Sequence, residues 1–134
     1  MRLLLDTHVW LWALLDPTRL SRRAAQLLQD GDNELWLSPV SLWEAQMLAE
    51  RGQIALDAPP AKWIERELVQ FPLRDALLTR SIAIASRKVR LPHADPADRF
   101  IVATALVEGL QLVTADARLL EAGECRVISA GRRG

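Results

Sequence analysis

The chain has 134 residues, half of them hydrophobic and a quarter charged, with a formal net charge of zero. That length predicts one domain, residues 1–134, able to bury roughly two thirds of its unfolded surface without a staple. Zero net charge argues against a protein that coats nucleic acid by bulk attraction, and one cysteine, Cys125, excludes an internal disulfide framework or a cysteine-built zinc site.

Arg2 to Leu5 reads as a short buried strand. Asp6 breaks its apolar run after three leucines, so the segment is not expected to be a signal peptide, and no stretch nears membrane-spanning length. Cysteine usage and the lack of such segments fit a reducing cytoplasm. Thr7 to Leu15 reads as a helix stopped by Asp16-Pro17. Ser21 can cap a second helix running to Asp30, with Gly31 just past its end. Glu34 to Leu37 reads as a strand. Ser38-Pro39 is a helix start, a capping hydroxyl followed by proline at the first helical position, and that helix runs to about Gly52.

Gln53 to Pro60 is an irregular connection. Ala61 to Gln70 reads as a helix, with Trp63, Ile64 and Leu68 near one face. Phe71-Pro72-Leu73 is expected to be extended, at most an edge strand because of its proline. Asp75 to Lys88 is expected to be helical and Leu91 to Ala94 a loop. Asp95 then caps a helix with Pro96 at its first position, which places Asp98 one turn in, and Gly109 ends it. Leu110 to Val113 reads as a strand, Ala117 to Ala122 as a short helix and Arg126 to Ile128 as a last strand. Residues 130–134 are expected to form a loose tail. Strands alternating with helices or helix pairs imply an α/β fold, a mostly parallel central sheet with helices on both faces.

Four carboxylates stand where such a fold builds its crevice, outside the carboxyl ends of the strands. Asp6 and Asp116 follow short apolar strands, while Glu44 and Asp98 lie early in helices. Each also has a structural reading. Asp6 could cap the helix after it, although Thr7 is available for that. Glu44 could be a solvated helix residue, but Leu42, Trp43, Ala45, Met47 and Leu48 leave few solvated positions around it. Asp95 is assigned to the cap, and Asp98 can both feel the helix dipole and face the crevice. Asp116 could be a turn or cap residue, yet its place after a strand mirrors that of Asp6. Carboxylates crowded together repel one another unless a hard divalent cation joins them.

At these residues the chain resembles the PIN-domain ribonucleases, in particular the VapC-like toxins of toxin–antitoxin pairs. The matching segments are Leu4-Leu5-Asp6-Thr7-His8-Val9, Ser41-Leu42-Trp43-Glu44-Ala45, the run from His93 to Ala105 that contains Asp95-Pro96-Ala97-Asp98-Arg99, and Leu112-Val113-Thr114-Ala115-Asp116. Each is weak alone, but together they run in family order across nearly the whole chain. The resemblance implies a PIN-like three-layer α/β/α sandwich and an endoribonuclease that needs Mg²⁺ or Mn²⁺. Asp6, Glu44, Asp98 and Asp116 then correspond to the acidic metal-binding and catalytic quartet, Asp116 being the most variable position. Thr114 corresponds to a supporting hydroxyl. The same resemblance implies an RNA substrate, a cognate antitoxin protein and a homodimer.

Such an enzyme hydrolyses a phosphodiester bond with metal-activated water, and 5′-phosphate and 3′-hydroxyl ends are expected. Arg99, next to Asp98, is expected to steady that carboxylate or to bind phosphate. The run Arg87-Lys88-Val89-Arg90 reads as a solvated face. Fifteen of the seventeen basic residues are arginine, from phosphate recognition or from GC-rich coding. His8 is expected to be packed or hydrogen-bonded, and His93 to lie in the loop before Asp95, outside catalysis. Trp10 and Trp12, two apart on one helix, cannot both face one core, so one is expected at an interface. A non-catalytic binding module is the alternative. A phosphohydrolase of the haloacid dehalogenase type is disfavoured, because His8 stands where that class needs a second aspartate.

Overall fold

The computed structural model describes residues 1–92 and 95–131. Five parallel strands form one sheet in the order β3-β2-β1-β4-β5: β1 is Arg2–Leu5, β2 Glu34–Leu37, β3 Arg74–Asp75, β4 Gln111–Thr114 and β5 Val127–Ser129. Leu4 of β1 stands beside Trp36 on one side and Leu112 on the other. Leu3, Leu4 and Leu5 are fully buried. A central parallel strand is covered on both faces, which explains a continuous apolar run where an alternating one would mark an exposed sheet.

Successive side chains of β1 enter opposite cores, as the pleat requires. Leu3 and Leu5 pack with Trp10 of α1 (Thr7–Leu15), Ala24 and Leu28 of α2 (Arg22–Gln29), Ala45 and Leu48 of α3 (Pro39–Glu50), and Trp63 and Ile64 of α4 (Pro60–Gln70). Leu4 packs on the other face with Ile82 of α5 (Arg80–Ser86), Ile101 of α6 (Pro96–Glu108) and Leu119 of α7 (Ala117–Ala122). The expected three-layer α/β/α sandwich follows. Among the described residues no helix is long and apolar enough to cross a membrane.

Helix starts follow the capping chemistry of the sequence. Ser21, Ser38 and Asp95 each accept a backbone N–H of the helix they open. Gly109 ends α6 at φ 66°, a left-handed conformation that a Cβ penalises.

Four expectations differ from the structure. The helix expected from Asp75 begins only at Arg80. Asp75 instead pairs with Leu37 in β3, Ala76 donates its N–H to the Leu37 carbonyl, and the Thr79 hydroxyl caps Ile82. Edge pairing and a cap thus outweigh the helix propensity of Ala76-Leu77-Leu78. The paired edge strand also lies beyond Phe71-Pro72-Leu73, not within it. Gly31 is no left-handed cap, since α2 stops at Gln29 and the Asp30 side chain turns the chain by accepting from the Asp32 N–H. Finally, Ala130 and Gly131 are not a loose tail. Ala130 is fully buried, donates to the Thr114 carbonyl and accepts from Ser21, and Gly131 bridges to Leu20. Residues 132–134 and the expected loop positions His93 and Ala94 lie outside the described residues.

Arg99 is also not where it was expected. Its guanidinium donates to the carbonyls of Val89 at 2.9 Å and Ser86 at 3.4 Å, tying α6 to the C-terminal end of α5. Two buried carbonyls at a helix end gain a cation there, so Arg99→Ala should cost about 1–2 kcal/mol in urea unfolding. An unchanged midpoint would show the tie to be idle.

Candidate active site

The chain leaves β1 for β2 on one side and later returns to pair β4 on the other. The topology therefore reverses between β1 and β4, the position where open parallel sheets form their ligand crevice. Asp6 follows β1 directly, and its N–H donates to the Val113 carbonyl of β4. Thr114 closes β4. Its hydroxyl donates to one oxygen of Asp6 at 2.7 Å, while the Thr7 N–H donates to the other at 2.8 Å. Asp6 is therefore both the cap of α1 and a wall of the cleft, so its two readings coexist.

Thr7 does not cap. It is fully buried and donates its hydroxyl to Ser41 of α3 at 2.9 Å. That bond joins α1 to the helix that carries Glu44. Asp98 sits in the first turn of α6, behind the Asp95 cap. Asp116 caps α7 by accepting from the Arg118 N–H. Its own N–H donates to the Thr114 hydroxyl at 3.1 Å, so one threonine binds both strand-end aspartates.

Asp6, Glu44, Asp98 and Asp116 all line one cleft of about 240 Å³, together with His8, Trp12, Asp95, Ala115 and Arg118. Asp6, Glu44 and Asp98 are each under a tenth exposed. Burial pushes the Asp6 carboxyl up to about 6 from 3.8. The Asp98 charge adds to this, against the opposing pull of the Thr114 hydroxyl, His8 and the Thr7 N–H. Glu44 is raised as well, again by burial first, with the Thr7 hydroxyl opposing it and the Asp6 charge adding to it. Two buried acids that resist ionisation are costly in a fold with no use for them.

Two features escaped the sequence. Arg118 grips Asp116 with two prongs, Nε at 3.2 Å and Nη2 at 3.0 Å. Nothing in a lone arginine two residues past an aspartate marks it as a cleft residue. His8, expected to be packed or hydrogen-bonded, is exposed and lines the cleft. Of the tryptophans, Trp10 is the core one, edge-on to Trp63 at 5.9 Å, while Trp12 is half-buried at the cleft. Among the described residues, no three histidine, cysteine or acidic side chains converge closely enough to hold an ion as they stand. An all-oxygen set of four carboxylates nonetheless suits a hard divalent cation, which takes only part of its coordination from protein and the rest from water.

The fold and this cleft place the chain in a known class: residues 3–124 match the PIN domain, and the chain belongs to the PIN-domain family. Within it, the chain is 40% identical over 119 residues to Ribonuclease VapC22 of Mycobacterium tuberculosis, covering 87% of this chain and 88% of that protein. Solved structures share the fold. The DNA-bound VapBC of Salmonella typhimurium matches with a TM-score of 0.70 at 17% identity, over 96% of this chain and 98% of that one. VapBC2 of Rickettsia felis, bound to a DNA fragment from its promoter, matches with a TM-score of 0.68 at 15% identity and the same coverage.

Proposed function

We propose that the chain is a metal-dependent endoribonuclease, the toxin of a toxin–antitoxin pair, with Asp6, Glu44, Asp98 and Asp116 as its metal-holding and catalytic carboxylates and Mg²⁺ or Mn²⁺ as the ion. One coincidence carries the reading. The four carboxylates line a single cleft at the β1/β4 reversal of a chain 40% identical to a protein named as a ribonuclease.

A bound divalent cation there would lower the pKa of a coordinated water and balance charge on the attacked phosphate. The protein's own part is positioning. Thr114 and the Thr7 N–H fix both oxygens of Asp6, and the Thr7–Ser41 bond fixes the spacing of α1 and α3 behind Glu44. The first turn of α6, behind the Asp95 cap, carries Asp98 to the cleft. Arg118 holds Asp116 in place, and its exposed guanidinium is within the same cleft for a substrate phosphate. The proposed place of action is the cytoplasm, and the proposed partner of the toxin is its cognate antitoxin. A homodimer is the proposed assembly of the toxin.

The test is cleavage of total cellular RNA by the purified protein with Mn²⁺ or Mg²⁺, beside EDTA and an Asp98→Asn control. Discrete fragments that need metal and vanish in the control support the reading, and no cleavage by the folded protein under either metal rejects it.

Arg118 gives a further prediction of opposite sign for metal and substrate. Removing its charge takes two contacts from the Asp116 carboxylate and deepens the negative potential of the cleft. Arg118→Gln should tighten Mn²⁺ binding by calorimetry about two- to five-fold, the scale of an exposed ion pair, and should raise KM for RNA. Unchanged Mn²⁺ binding in the variant would count against Asp116 as a ligand.

A further inference from the structure

A second groove of about 380 Å³ opens beside the carboxylate cleft and shares two walls with it, His8 and Trp12. Both lie on α1, one helical turn apart. Their rings are 6.5 Å apart and tilted by 60°. Beyond them the chain passes through a 3₁₀ turn, Pro17–Arg19, and the Arg19 guanidinium lies over the Trp12 indole at 4.4 Å. An imidazole, an indole and a guanidinium therefore form a row leading out of the cleft.

His8 and Arg19 take no part in the core, and Trp12 packs only against its edge. His8 and Arg19 are exposed and Trp12 is half-buried, whereas Trp10 on the same helix is completely enclosed. Among the described residues Arg19 has no carboxylate in ion-pair contact, and Asp16 beside it is occupied by the Thr18 hydroxyl. Aromatic and guanidinium planes at the edge of a catalytic cleft are the surfaces on which unpaired bases stack, and an arginine among them also meets the phosphate backbone.

We propose that Trp12 and Arg19 seat the nucleotide adjacent to the scissile phosphate, its base against the indole and its phosphate on the guanidinium. The inference rests on the ribonuclease reading. It assigns the direction in which one arm of the RNA leaves the carboxylates, and it makes single-stranded RNA the preferred substrate. A duplex keeps its bases stacked inside and has none to offer the indole.

The experiment has two arms. In the Asp98→Asn background, binding of a fluorescein-labelled polyuridine oligomer is followed by anisotropy for Trp12, Trp12→Phe, Trp12→Leu and Arg19→Gln. In the active background, the same substitutions are compared in cleavage of the RNA that the wild type cuts. Trp12→Leu should weaken oligomer binding about ten-fold, the scale of one lost base stack, and should raise KM with kcat held within about two-fold. Trp12→Phe should recover most of both. Arg19→Gln should weaken binding and lower the slope of log K against log salt by about 0.7, one phosphate contact.

Oligomer binding and KM unchanged in both Trp12→Leu and Arg19→Gln would overturn the proposal. So would a Trp12→Leu variant that binds RNA normally but loses its cognate antitoxin, since the groove would then be a protein dock. If the leucine variant fails to fold, Trp12→Phe and Arg19→Gln carry the test: wild-type binding by the arginine variant rejects the seat. Failure of the ribonuclease reading looks different, because the wild type then cuts nothing while the binding arm still reports on Trp12.

Discussion

Asp6→Asn is expected to lower metal-dependent RNA cleavage by on the order of 10³-fold, and to leave the metal-free protein more stable near neutral pH. Both effects come from one carboxylate. Its charge is what an ion would need, and its burial is what the fold resists. The folded-state pKa of about 6 lies above the ordinary 3.8, so the folded protein holds this proton more tightly than the unfolded chain. Stability from Asp6 is therefore fully present below about pH 4 and is lost as pH rises through 6. Above that window the penalty is roughly 3 kcal/mol at most.

Asparagine carries no charge and removes that dependence. In EDTA, the variant should exceed the wild type at pH 7.5 by about 1–3 kcal/mol in urea unfolding, and the gap should close towards pH 4.5. Saturating metal should restore the order. An ion at 100 times its Kd stabilises the protein that binds it by about 2.7 kcal/mol, close to the burial penalty, and only the wild type should gain it. Cleavage by Asp6→Asn within about ten-fold of the wild type would remove Asp6 from the reaction.

These residues were legible in the sequence to unequal depth. Asp6 and Asp116 could be placed because each follows an apolar strand that ends at a helix start, and strand ends of a parallel sheet share one edge. The caps at Ser21, Ser38 and Asp95 were local and therefore readable. What failed depended on distant partners. Asp75 sits in a stretch with good helix propensity, and only Leu37 of a strand 38 positions earlier draws it into the sheet. Arg99 adjoins Asp98 in sequence, but on a helix consecutive side chains diverge by about 100°, which carries Arg99 towards α5 and away from the cleft. Arg118 could not be found because its role depends on the geometry of the α7 cap. Ala130 looked expendable at the end of a chain, yet the backbone of Thr114 and Ser21 holds it on both sides.

Thr114→Val tests how far the cleft depends on a single hydroxyl. The side chain is fully buried, and valine matches its shape. The substitution therefore opens no cavity. What disappears is a donor to Asp6 at 2.7 Å and an acceptor for the Asp116 N–H at 3.1 Å. A hydrogen bond to a buried carboxylate contributes about 1.5–3 kcal/mol, and the Asp116 N–H loses its Thr114 acceptor as well. Unfolding at neutral pH should show a loss of about 2 kcal/mol. Orientation of the ligand should suffer too, with Mn²⁺ affinity or kcat falling about 10–100-fold, the usual cost of removing a group that aims a metal ligand. The hydroxyl also favours the ionised form of Asp6, so without it that pKa rises above about 6 and the acid limb of the cleavage profile moves to higher pH. Thr114→Ser keeps donor and acceptor and should recover the profile, losing only a methyl contact. A structural role alone would lower stability in both variants and leave the pH profile unmoved. A valine variant with unaltered Mn²⁺ affinity and an unaltered acid limb would show that Asp6 is held in its working position by the Thr7 N–H alone.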